Sequence, residues 1–149
     1  MNDSRLAQAF APGSIAVQAV AADWRAAVEL AGRLLVESGR TKPDYTRSMI
    51  SAIEELGPYI VIAPGVALAH ARPSDSVLST GMSLVTLAQP VSFGNLANDP
   101  VSLVFALAAA DHDSHIELLQ GFAELMSNPA SVNLLLTSAS VETIRGLLA

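Results

Sequence analysis

The sequence predicts an α/β fold: a three-layer α/β/α sandwich in which helices cover a mixed β-sheet. Segments with a helical apolar period stand before, between and after segments with strand character. The apolar run from Val101 is continuous enough to be a central strand, although periodicity by itself leaves a helix open there. The chain has 149 residues, 51% of them hydrophobic and 15% charged, which suits one domain around one core and excludes a disordered polymer.

The elements follow in order. Residues 1–13 are small and polar and end in Pro12-Gly13, so they are expected to form a frayed N-terminal arm, and residues 14–149 are expected to form the single domain. Ser14 to Val20 alternates, with Ile15, Val17 and Ala19 on one side, the period of a half-buried strand. Asp23 is placed to cap a helix whose apolar residues Trp24, Ala27, Val28, Ala31, Leu34 and Leu35 recur at three and four until Gly39. Pro43 opens a second helix, carried by Tyr45, Met49, Ile50, Ile53 and Leu56 to the Gly57-Pro58 break. Tyr59 to Ala63 and Val66 to His70 read as two short strands about a Pro64-Gly65 turn.

Gly81 to Ala88 and Val101 to Ala109 read as two further strands, separated by a loop with Pro90, Gly94, Asn95, Asn98 and Pro100. Ser114 and Glu117 have the spacing of a capping box, which starts a helix at His115 with the stripe Ile116, Leu119, Phe122, Ala123 and Met126. Two short helices, Ala130 to Leu136 and Val141 to Leu148, complete the chain.

Composition removes whole classes of function. A net charge of −6, with the basic residues dispersed, disfavours nucleic acid as a partner, because phosphate-backbone binding needs a clustered basic face. A basic protein partner fits better. Zero cysteines exclude disulfides, thiolate metal sites and a cysteine nucleophile. Mean hydropathy is +0.43, yet the cleanest apolar run, Val101 to Ala110, falls well short of the roughly 20 residues of a spanning helix. Leu6 to Val20 is interrupted by polar residues and Pro12-Gly13 and makes a poor signal-peptide core, so a cytoplasmic location is expected.

Three histidines remain for chemistry. His70 ends a short strand, Arg72 follows two residues later, and Pro73 keeps Arg72 extended. In an extended run His70 and Arg72 share a side. Neutral imidazole is a nucleophile near neutral pH and guanidinium matches phosphate oxygens, so the pair could hold a phosphoryl group. A half-buried histidine beside a solvated arginine is the plainer reading of the same residues. His115, in an expected first helical turn, lies where free amides and the helix dipole favour an anion, and a polar helix-start residue is the plainer reading there. His112 and His115 have a zinc-compatible spacing, but a third ligand is unplaced. The sequence contains no Gly-x-Ser-x-Gly and no phosphate-cradling Gly-rich loop.

Taken together, GPYIVIAPGVALAHARP, GMSLVTLAQPVSF, NDPV and AAADHDSHIELL resemble the enzyme IIA component of the bacterial phosphotransferase system. The resemblance is to the mannitol/fructose-type superfamily and, within it, the ascorbate-type branch, over almost the whole chain from about Ser14. It implies that His70 accepts a phosphoryl group from the phosphorylated carrier HPr and passes it to a cysteine on a separate enzyme IIB, serving a membrane IIC indirectly in uptake of a carbohydrate, with ascorbate the candidate. It also implies that His115 is the second active-centre histidine. With no cysteine and no third ligand placed beside His112 and His115, no catalytic metal is expected, and no cofactor. Having no cysteine, this chain cannot itself carry the IIB site.

Two positions depart from the family pattern: Ala69 stands where a proline commonly precedes the phosphorylated histidine, and Ala52 where mannitol-type members carry an active-centre arginine. Arg72 is assigned as the substitute from charge and spacing. The apolar residues beside His70, namely Val66, Leu68 and Ala69, are expected to contribute to a docking surface. Two other readings stay open: a regulatory IIA-like module phosphorylated as a signal, and a zinc-dependent enzyme.

Overall fold

A computed structural model describes residues 5–148. The chain runs α1 (Arg5–Ala9), β1 (Ile15–Ala19), α2 (Trp24–Glu37), α3 (Pro43–Leu56), β2 (Val61–Ala63), β3 (Val66–His70), β4 (Gly81–Val91), β5 (Val101–Ala108), α4 (His112–Met126), α5 (Pro129–Thr137) and α6 (Val141–Leu148). The five strands form one mixed sheet in the order β1-β4-β5-β3-β2, so the apolar run from Val101 is indeed the middle strand. β1 lies parallel to β4 and β3 parallel to β5, whereas β4–β5 and β2–β3 are antiparallel.

Strand alternation divides the core into two halves. Ala67, Ala69, Val85, Val104 and Ala106 turn to one face, where α2 and α3 bury Val28, Ala31, Leu35, Tyr45, Met49 and Ile53. Val66, Leu68, Leu84, Leu103 and Phe105 turn to the other, under Leu118, Phe122, Leu135 and Ile144 of α4, α5 and α6. The molecule is therefore the expected α/β/α sandwich. Small residues on β3 and β5 face α2 and α3, and larger ones face α4.

The local signals hold at several ends. Asp23 caps α2 by accepting the Ala26 N–H at 2.8 Å, Pro43 opens α3, and Gly57 at φ 87° closes it.

Two boundaries differ. Residues 1–4 of the expected arm lie outside the described residues, but Arg5–Ala9 is helical, and Leu6, Ala9 and Phe10 are buried against the α4 face of the core. A five-residue helix has no stability of its own. Tertiary contacts hold it: the Phe10 ring meets Phe105 edge-on at 6.4 Å, and Arg145 donates to the carbonyls of Phe10 and Ala11 at 3.0 and 2.6 Å. β4 also continues through Pro90 to Val91, because its pairing with β5 is irregular between Thr86 and Val91 and no ladder donor is needed at the proline.

Phe105 tests this core. It is fully buried on the middle strand and its ring packs edge-on against Phe122 at 4.9 Å. Phe105→Ala is expected to lower unfolding stability by roughly 3–5 kcal/mol, read as a shifted urea midpoint at unchanged slope.

Candidate active site

β3 and β5 are parallel neighbours, so their carboxyl ends emerge side by side at one edge of the sheet, where α/β proteins commonly place their sites. His70 is the last residue of β3 and pairs in register with Leu107 of β5. It has the parity of Val66 and Leu68 and thus belongs to the α4 side of the sheet. β5 runs directly into α4, which brings His115 to the same edge. The two imidazole centroids are 6.0 Å apart with planes inclined at 55°.

His70 is held in one tautomer. Its Nδ1 lies 3.0 Å from the Leu68 carbonyl oxygen, and a carbonyl only accepts, so Nδ1 carries the proton and Nε2 keeps the lone pair. The edge-on ring of Tyr59, 5.9 Å away, braces the imidazole from another side. The register between β3 and β5 runs unbroken from Val66 to His70 through Ala69. Ala69 brings to that ladder an N–H that a proline would lack.

His115 is not in the first helical turn. α4 begins three residues earlier, at His112, because Asp111 is the cap: it accepts the Ser114 N–H at 2.8 Å, and the His115 N–H already donates to the Asp111 carbonyl at 3.2 Å. That amide bond from Ser114 also holds the Asp111 carboxyl below the usual carboxylate range. With Asp111 and Asp113 supplying negative charge at the helix start and the His115 amide already bonded, the free amide expected at His115 is not there. Partial burial first, then the proximity of His70 and His112, holds the His115 imidazole below its ordinary pKa and favours the neutral ring.

Both histidines open onto a cleft of about 1270 Å3 between α3, the segment after β3 and the start of α4. Arg72 lines it and is exposed, with no ion pair or hydrogen bond to any described residue. His112 lines it too, but among the described residues no group of three histidine or carboxylate side chains is placed to hold a metal ion. The expected docking role of Val66, Leu68 and Ala69 is corrected: all three are buried in the sheet. The exposed apolar groups near the site are instead Leu56, Tyr59 and Ile116.

A family profile described as the phosphoenolpyruvate-dependent sugar phosphotransferase system, EIIA 2, matches residues 8–149. The chain belongs to this family. An ascorbate-specific phosphotransferase system EIIA component of Escherichia coli strain K12 is 43% identical to it over 105 residues, 70% of this chain and 68% of the relative. The solution structure of the mannitol-specific cryptic enzyme IIA CmtB of Escherichia coli superposes with a TM-score of 0.87 at 35% identity, covering 97% of each chain. A complex of mannitol enzyme IIA with phosphorylated enzyme IIB, also from Escherichia coli, contains a chain matched at TM-score 0.81 and 26% identity over 91% of this chain and 94% of that one.

In this enzyme IIA the cleft also recruits Asp44, Arg47, Ser48, Ser51 and Glu55, which the sequence did not single out, and Leu56, expected on the buried stripe, is exposed there. Asp44, Ser48, Ala52 and Leu56 form one i, i+4 row along α3, and Arg47, Ser51 and Glu55 form the next; both rows line the cleft while Tyr45, Met49 and Ile53 face the core. The helical period that marks the buried stripe marks these rows as well. Arg47 is paired with Asp44, so Arg72 is the uncommitted cation of the two at this cleft. Together the groups place two imidazoles and an exposed guanidinium around one open volume.

Proposed function

We propose that this enzyme IIA accepts a phosphoryl group on Nε2 of His70 from phosphorylated HPr and passes it to a cysteine of a separate enzyme IIB, in the cytoplasm, for carbohydrate uptake. The observation that carries this reading is the bond from His70 Nδ1–H to the Leu68 carbonyl, which leaves Nε2 as the nucleophile beside His115 and the open cleft. In the first step the Nε2–P bond forms as the P–N bond to the donor histidine breaks. In the second that bond breaks as a cysteine sulfur takes the phosphorus. The Leu68 carbonyl stabilises the positive charge that builds on the ring while phosphorus is attached. His115 and Arg72 act on the phosphoryl oxygens, the positioning and charge stabilisation that phosphoryl transfer demands.

The likeness to ascorbate-specific relatives favours ascorbate as the carbohydrate, and the IIA–IIB complex of a structural neighbour supports an IIB acceptor. Incubation with purified enzyme I, HPr and phosphoenolpyruvate should give an acid-labile, base-stable phosphate on His70. Transfer onward to an ascorbate-type IIB should then exceed transfer to a mannitol-type IIB. Phosphate that accumulates on His70 and leaves to no IIB would favour a signalling module instead.

The pKa of His115 makes a separate prediction. Its imidazole titrates lower folded than unfolded, so the unfolded chain binds this proton first as the pH falls. The stabilising contribution is whole above about pH 6.5, the ordinary histidine value, and is lost as the pH falls toward the folded pKa. Urea midpoints should therefore decline between about pH 7 and pH 5, and less so in His115→Gln. Phosphorylating His70 places negative charge beside this ring and should raise its pKa, visible in an NMR pH titration.

A further inference from the structure

We infer that Tyr45 is a positioning residue for the transfer site, its hydroxyl locking together the strand end that carries His70 and the strand that leads into the helix of His115. Tyr45 lies in the first turn of α3 and is 0% exposed. Its hydroxyl accepts the Ala71 N–H at 3.0 Å and places its proton on the Leu107 carbonyl at 2.7 Å, nearer than the Ala71 carbonyl at 3.2 Å.

The location gives these bonds their meaning. His70 and Leu107 are the last registered pair of the β3–β5 ladder. Beyond them the strands part, β3 into the Arg72-Pro73 segment and β5 toward the Asp111 cap of α4. The peptide immediately after the acceptor histidine thus has left the ladder just where its orientation decides where the imidazole points. One buried hydroxyl replaces the missing rung and also holds the residue opposite His70. Burial pushes its pKa up to about 12, so it remains a donor throughout the working range of pH. Removing it leaves the half-buried N–H of Ala71, just past β3, and the Leu107 carbonyl of β5 each short of a partner where the spacing of the two histidines is set.

This inference rests on His70 being the phosphoryl acceptor, and its test includes a measurement that needs no phosphoryl donor. Tyr45→Phe keeps the ring and deletes the hydroxyl. Val28→Ala, a buried truncation on α2 in the same half of the core, controls for lost stability. Rapid-quench transfer from phosphorylated HPr should slow roughly tenfold in Tyr45→Phe, since small displacements of reacting groups are costly, with donor affinity unchanged and Val28→Ala at the wild-type rate. Long-range 1H–15N spectra of the histidine rings should show the Nδ1–H form of His70 in wild type and Val28→Ala, and a shift toward the other tautomer in Tyr45→Phe. A folded Tyr45→Phe protein with wild-type rate or with unaltered His70 ring signals would overturn the inference. A wild-type protein that takes no phosphate would defeat the proposed function alone, because the ring spectra would still report whether Tyr45 positions His70.

Discussion

His70→Ala is expected to take up no phosphate above background from phosphorylated HPr while remaining folded. The expectation follows from the atom that is lost. His70 alone among the three histidines makes a hydrogen bond that fixes its tautomer among the described residues, the 3.0 Å bond from Nδ1 to the Leu68 carbonyl, and in the neutral ring that bond leaves the lone pair on Nε2 beside the cleft. His115 is equally near the reacting volume, yet it sits one turn inside α4. Alanine at position 70 offers no lone pair, so neither a remaining arginine nor a remaining imidazole restores the bond to phosphorus. The cost to stability should be small, about 1 kcal/mol, since the residue is at a strand end and only half-buried. Radiolabel from phosphoenolpyruvate, with circular dichroism as the folding control, measures both. Full labelling of the variant, with phosphate on His112 or His115, would move the acceptor and require a different mechanism.

The parts of this fold that could be read from the sequence are those fixed by short-range rules. The run from Val101 declares a buried strand because a central strand needs apolar residues on both faces, and Asp23, Pro43 and Gly57 mark helix ends because their preferences are local. Where two local rules compete, tertiary context decides. Ser114 and Glu117 have capping-box spacing, but Asp111 three residues earlier captures the Ser114 amide, and the helix gains a turn. α1 was illegible because Leu6, Ala9 and Phe10 are too few to mark a helix; their burial depends on Phe105 and Arg145, distant in sequence. The same limit applies within the site. Val66, Leu68 and Ala69 adjoin His70 in sequence and looked available for docking, but a strand covered on both faces hides every residue before its end. The choice of ring nitrogen needed the Leu68 carbonyl in place, and the pairing of His70 with His115 needed the parallel register of β3 and β5.

His115→Ala is expected to slow transfer by on the order of a hundredfold, or about 3 kcal/mol, the loss typical of one preorganised donor facing developing charge. Because the backbone amide of His115 is already spent inside α4, the effect belongs to the imidazole. A side chain that keeps an N–H should therefore recover part of the rate, and His115→Gln should fall between wild type and His115→Ala. Arg72→Ala should cost less than His115→Ala, because an exposed, flexible guanidinium is screened by water and salt and gives up side-chain freedom when it engages. Raising the salt concentration should diminish the Arg72 effect more than the His115 effect. Rapid-quench transfer from phosphorylated HPr resolves the three variants, and urea midpoints show whether any of them has lost packing. A folded His115→Ala protein that transfers at the normal rate would confine the neighbouring imidazole to a structural role. Equal rates for His115→Gln and His115→Ala, both slow, would instead remove the hydrogen-bond donor from the mechanism and leave the shape of the ring as what His115 contributes.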